Sequence, residues 1–115
     1  MYSQRVTIRP SADKVPEVRA LLTQRVKATQ ARGQQAALAE LIAGRHTPEF
    51  TVTLLFSDLN TFEATRKRNQ SDATFQKFAT QLATMSRKPP SIELLEVLMP
   101  MPAAKAAPAA RRKAK

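Results

Sequence analysis

The stretch Phe50-Thr-Val-Thr-Leu-Leu-Phe56 alternates in a way that only a strand explains. Phe50, Val52, Leu54 and Phe56 face one way and Thr51, Thr53 and Leu55 the other, the two-residue period of a half-buried β-strand. Immediately upstream, Ala43-Gly-Arg-His-Thr-Pro-Glu49 reads as a hairpin loop, which makes Gln35 to Ala43 the partner strand. Ala36-Ala-Leu-Ala-Glu-Leu-Ile42 has the composition of a helix by propensity alone, but Gly33 separates it from the helix before it. That preceding helix is amphipathic: Val15, Val18, Leu22, Val26 and Thr29 recur every three or four residues, while Arg19, Arg25, Lys27 and Arg32 fall elsewhere on the wheel. Ser11 or Asp13 is the expected cap, Pro16 and Glu17 sit in the first turn, and Gly33 follows the last. Tyr2 to Arg9 alternates again, with Tyr2, Gln4, Val6 and Ile8 on one face, and ends at Pro10.

Downstream, Ser57 and Asp58 are capping residues for a helix that runs to about Arg68. Asn69-Gln-Ser-Asp72 breaks the pattern, and Asp72 can cap a second piece carrying Phe75, Phe78, Leu82 and Met85 on one stripe. Pro89-Pro90 stops it, and Ser91 to Met99 is the last strand. The order strand, helix, strand, strand, helix, strand predicts an α+β, ferredoxin-like βαββαβ fold: a four-stranded antiparallel sheet with its helices on one face. Apart from Glu93 and Glu96, the last strand is apolar on both faces, so the uncovered side of the sheet is expected to meet a second copy in a two-fold homodimer.

The chain has 115 residues, 43% of them hydrophobic and 24% charged, which bounds it to one globular domain. The absence of cysteine removes disulfides, thiolate metal sites and a thiol nucleophile together, and the single histidine, His46, excludes a two-histidine metal motif. Of the net charge of +10, half lies in the last thirteen residues, which hold Lys105, Arg111, Arg112, Lys113 and Lys115 and no acid. A folded domain over 1–102 and a disordered basic tail over 103–115 are expected, because the tail has too little apolar surface to offset its ordering entropy. No apolar run approaches the roughly 20 residues that a bilayer requires, and no signal peptide is evident, so the expected location is the cytoplasm.

Positions 2–102 resemble the antibiotic-biosynthesis-monooxygenase type of dimeric α+β barrel, a superfamily that includes the NIPSNAP-like proteins. The resemblance rests on the polar-faced first strand, on Phe50-Thr-Val-Thr-Leu-Leu-Phe-Ser-Asp-Leu-Asn-Thr-Phe62, on the broken helix at Asp72-Ala-Thr-Phe-Gln-Lys-Phe78, and on the closing strand. It implies a dimer whose two sheets share a barrel, with ligands lodged between sheet and helices. It further implies binding or transformation of a small organic molecule without a bound cofactor. The haem-degrading branch relies on an asparagine, a tryptophan and an axial histidine; this chain has no tryptophan.

Candidate site residues follow. His46 suits a general base or proton relay, since imidazole titrates near neutrality, although a loop histidine between Arg45 and Thr47 is more often simply solvated. Asn60, Phe62 and Arg66 could line a ligand pocket, against a reading as cap, core and surface charge. Glu40, Glu93 and Glu96 are candidates for an ion pair with Arg5 or Arg9. No glycine-rich phosphate loop, paired-carboxylate motif or metal-ligand spacing is present. The competing reading is a non-catalytic module that binds nucleic acid or an acidic partner through the basic tail, helped by Arg66-Lys-Arg68. An RNA-recognition sheet would need aromatics on the open face of its middle strands.

Overall fold

The computed structural model describes residues 1–44 and 48–99. Its elements are β1 (Tyr2–Ile8), α1 (Val15–Ala31), β2 (Ala36–Glu40), β3 (Phe50–Phe56), α2 (Leu59–Ser71), α3 (Ala73–Thr84) and β4 (Ser91–Glu96). The strands form one antiparallel sheet in the order β2-β3-β1-β4, the ferredoxin-like arrangement. His46 and all five basic residues of the expected tail lie outside the described residues. Among the described residues no helix is long and apolar enough to cross a membrane.

Register assigns the two faces. Ile8 pairs with Phe50 and Val6 with Val52, while Leu38 and Ile92 flank the latter pair on β2 and β4. Ile8 and Phe50 are each 1% exposed and pack with Val18 and Leu22 of α1 and Leu82 of α3. This side of the sheet is therefore the helix side, and the opposite side carries Ser3, Arg5, Thr7, Ala37, Ala39, Thr51, Thr53, Leu55, Glu93 and Leu95.

Several boundaries differ from the sequence expectations, each for a local reason. β4 stops at Glu96 because its partner β1 begins at Tyr2, directly opposite. β2 stops at Glu40 because β3 begins opposite it at Phe50. Neither Ser11 nor Asp13 caps α1: a 3-10 turn over Ala12–Lys14 leads in, and Lys14 is the cap residue, without a side-chain hydrogen bond. At the other end Gly33 adopts φ +89°, a conformation that suits glycine, and its N–H donates to Gln30 O at 2.9 Å.

The helix break lies at Asp72 alone, since α2 continues through Ser71. Asp72 leaves helical geometry (φ −92°, ψ 112°), and its carboxylate accepts the N–H groups of Thr74 at 2.9 Å and Phe75 at 3.4 Å. Asp58 does the same for α2: the N–H of Thr61 at 2.7 Å and its hydroxyl at 2.9 Å hold the Asp58 carboxyl below the usual carboxylate range. Asp72→Ala removes the acceptor at the α2–α3 joint and is expected to cost about 1 kcal/mol in urea unfolding; an unchanged midpoint would show that the backbone alone holds the joint.

The expected ion pairs are redistributed. Glu40 faces the helix side and takes a bidentate pair from Arg19 of α1 at 2.9 and 3.0 Å. Arg9 pairs with Glu49 at 3.3 Å, and Glu93 stands across from Arg5 on β1.

Candidate functional site

A cavity of about 530 Å³ lies between the helix side of the sheet and the three helices. α1 leaves the Ile8 end of β1 and runs back along the sheet, while α2 leaves the Phe56 end of β3, next to Tyr2, and runs the other way. The cavity's apolar lining comes from Val52, Leu54, Phe75 and Phe78, over a packed floor of Ile8, Leu22 and Leu82 that is almost wholly buried. Its polar lining comes from Gln4, Gln34, Thr61, Thr65 and Asn69. Ile92 of β4 also lines it and is 66% exposed, so the cavity opens toward that edge.

Three arginines reach the cavity: Arg25 and Arg32, from the body and C-terminal cap of α1, and Arg68 from α2. Arg25 is half-buried, with its guanidinium 5.0 Å from the Phe75 ring centroid and 5.5 Å from that of Phe78. Burial lowers the pKa of Arg25 most, followed by the like charge of Arg32; Asp72 opposes them, and Arg68 lowers it further. The described lining residues include no Asp, Glu, His, Lys or Cys. A second, more open hollow of about 470 Å³, along Gln30, Gly33 to Ala37, Thr53 and Leu55, has no ionisable lining residue among the described residues.

Of the residues singled out in the sequence, the described ones, Asn60, Phe62 and Arg66, do not line this cavity. Asn60 is exposed, Arg66 pairs with Glu63 in the next turn of the same helix at 2.8 Å, and Phe62 meets Phe56 edge-on with centroids 5.4 Å apart. The cavity-facing residues of α2 are Thr61, Thr65, Arg68 and Asn69, offset around the helix from all three. Arg25, in contrast, was expected off the apolar face. Its number carries the signal that would have found it, since it stands three residues after Leu22 and four before Thr29, on the buried stripe. A pattern that scores every charge as outward passes over it.

The side of the sheet opposite the helices has no aromatic residue on β1 or β3; Tyr2, Phe50 and Phe56 all lie on the helix side. It therefore lacks the stacking surface of an RNA-recognition sheet.

This arrangement defines a ferredoxin-like α+β domain with a cavity between sheet and helices. The same fold occurs in an uncharacterized NIPSNAP domain protein from Burkholderia xenovorans (TM-score 0.72, 17% identity, 90% of this chain and 100% of that one). It occurs also in a candidate antibiotic biosynthesis monooxygenase from Deinococcus radiodurans (TM-score 0.70, 16% identity, 91% and 100%). A NIPSNAP family protein from Agrobacterium tumefaciens shares it too (TM-score 0.68, 15% identity, 83% and 90%). No protein-family profile matches the chain, and no curated protein gives a significant match. At these identities the likeness is one of fold, which does not by itself specify function.

Proposed function

We propose that this protein acts as a homodimer that takes up a small, largely apolar organic molecule between sheet and helices, without a bound cofactor. The cavity of about 530 Å³ carries this reading. Its size falls within the range of ligand sites, and its apolar lining with convergent polar groups matches their usual chemistry. Its ionisable lining residues, among those described, are arginines, which stay protonated near neutral pH and make poor bases. The geometry thus favours ligand capture over proton abstraction by the cavity wall. Likeness of fold to monooxygenase-type proteins extends the reading to oxygenation of the captured molecule, with His46 as a candidate base or relay.

The dimer is supported by the sheet's uncovered side. Its only charges among the described residues of the four strands are Arg5 and Glu93, which stand opposite each other. The rest are small, hydroxylic or apolar. Beside it, Leu98 and Met99 are 88% and 89% exposed in a single copy. Leu55 and Leu95 with the adjoining Leu98 and Met99 offer apolar surface to a second copy, and the low charge of this side leaves little to repel one.

The cavity is tested by filling it. Ala79 of α3 is half-buried in the wall. The neutral probe 2-naphthamide is expected to bind the wild-type chain in a fluorescence titration, and Ala79→Phe to weaken it about tenfold or more, the effect of losing roughly 1.4 kcal/mol. Equal binding by a folded Ala79→Phe variant would place the probe elsewhere.

A further inference from the structure

We propose that the molecule held in the cavity is an organic anion, its ring or chain body against the apolar lining of Val52, Leu54, Phe75 and Phe78 and its carboxylate or comparable acidic group held by Arg25, Arg32 and Arg68. This rests on the cavity being a ligand site and names the class of ligand.

Three observations carry it. First, three cationic side chains from two helices line one cavity, and no acidic side chain lines it among the described residues. Secondly, the ion pairs of the described residues are Arg9–Glu49, Arg19–Glu40 and Arg66–Glu63, so none of the three arginines is paired with a carboxylate. The nearby acid, Asp72, is engaged by the backbone of α3. Thirdly, the Phe75 and Phe78 rings position the Arg25 guanidinium without offering its N–H groups an oxygen acceptor.

Gathering like charges around a partly buried guanidinium is unfavourable in the empty protein. The lowered pKa of Arg25, caused first by burial, is the mark of that cost. An anion relieves it, and a planar carboxylate matches the forked donor geometry of guanidinium. The aromatic rings beside Arg25 favour a ligand with a flat apolar body next to its charge.

The probes are 2-naphthoate and the uncharged 2-naphthamide, titrated against the full chain at low and moderate salt. The naphthoate is expected to bind about tenfold or more tightly than the amide, as a charge-assisted hydrogen bond implies, and to weaken with salt. Arg25→Gln is expected to remove that preference, bringing the two probes to equal affinity. Arg68→Gln and Arg32→Gln, at exposed positions, should each reduce it in part, and they keep the test valid if Arg25→Gln does not fold. Equal affinity for the two probes overturns the anion assignment and leaves the cavity reading standing. So does a loss in Arg68→Gln and Arg32→Gln that is the same for both probes. Failure of both probes to bind the wild-type chain overturns the two readings together.

Discussion

Thr53→Arg combined with Leu55→Arg is expected to turn the proposed dimer into a folded monomer. Both residues lie on β3, a central strand, on the side away from the helices, where Thr53 stands between Arg5 and Ala37. In a two-fold interface every substitution occurs twice, so the double variant brings four guanidinium groups to a surface whose described strands carry one charge of each sign. Their desolvation and mutual repulsion have no compensating partner across a shared face. The helix-side core is untouched, because neither side chain points into it. The expected result is a halving of the mass in light scattering, with the wild-type circular dichroism retained and a moderate loss of thermal stability. A wild-type monomer would dispose of the dimer, and a variant that remains dimeric would move the interface to another surface.

The second large effect is on stability. Phe50→Ala is expected to destabilise the domain by about 3–5 kcal/mol, a large share of the roughly 5–15 kcal/mol that holds a domain of this size. Phe50 is 1% exposed and belongs to the buried cluster of Ile8, Val18, Leu22 and Leu82, so its removal opens a void bounded by strands and two different helices. Arg19 also rests over its ring, 5.9 Å from the centroid, while paired with Glu40. The melting temperature should fall by roughly 12–40 °C, given about 4–8 °C per kcal/mol in small domains. Phe62→Ala is the control: its half-buried ring contacts Phe56 at the far end of β3, and its loss should cost less. A Phe50→Ala variant as stable as the Phe62→Ala control would show that the cluster is not the centre of the fold.

Much of the architecture was legible because it is written in short periods. The alternation of Phe50 to Phe56 gave strand boundaries that the structure reproduces residue for residue. Gly33 and Asp72 marked helix ends because their chemistry is local: a positive φ in one case, and a carboxylate beside unpaired N–H groups in the other. Gln35 to Ala43 was the difficult segment, since its alanines and leucines favour helix; pairing with β3 overrode propensity and kept Ala36–Glu40 extended. The strand ends were less legible, because Glu40 and Glu96 are terminal only by virtue of where their partners begin.

The candidate site was less legible still. Asn60, Phe62 and Arg66 stand near the start of α2, where helix phase turns Thr61, Thr65 and Arg68 toward the cavity instead. Arg25 was set aside with the other charges of α1, although it shares the buried stripe with Leu22 and Thr29. What distinguishes it from Arg19 is not the residue or its spacing but what lies opposite. Arg19 finds Glu40 at the edge strand, whereas Arg25 finds Phe75 and Phe78.

The sequence by itself determined the order of elements and the helix-facing sides of β1 and β3. These depend on interactions within a few residues: hydrophobic period, caps and turn residues. Tertiary structure alone decided that α1 and the α2–α3 pair stand apart over the sheet, leaving a cavity, and that arginines from separate helices converge there. Convergence of Arg25 and Arg68 depends on packing between segments some forty residues apart in the chain, and no local pattern encodes such a distance.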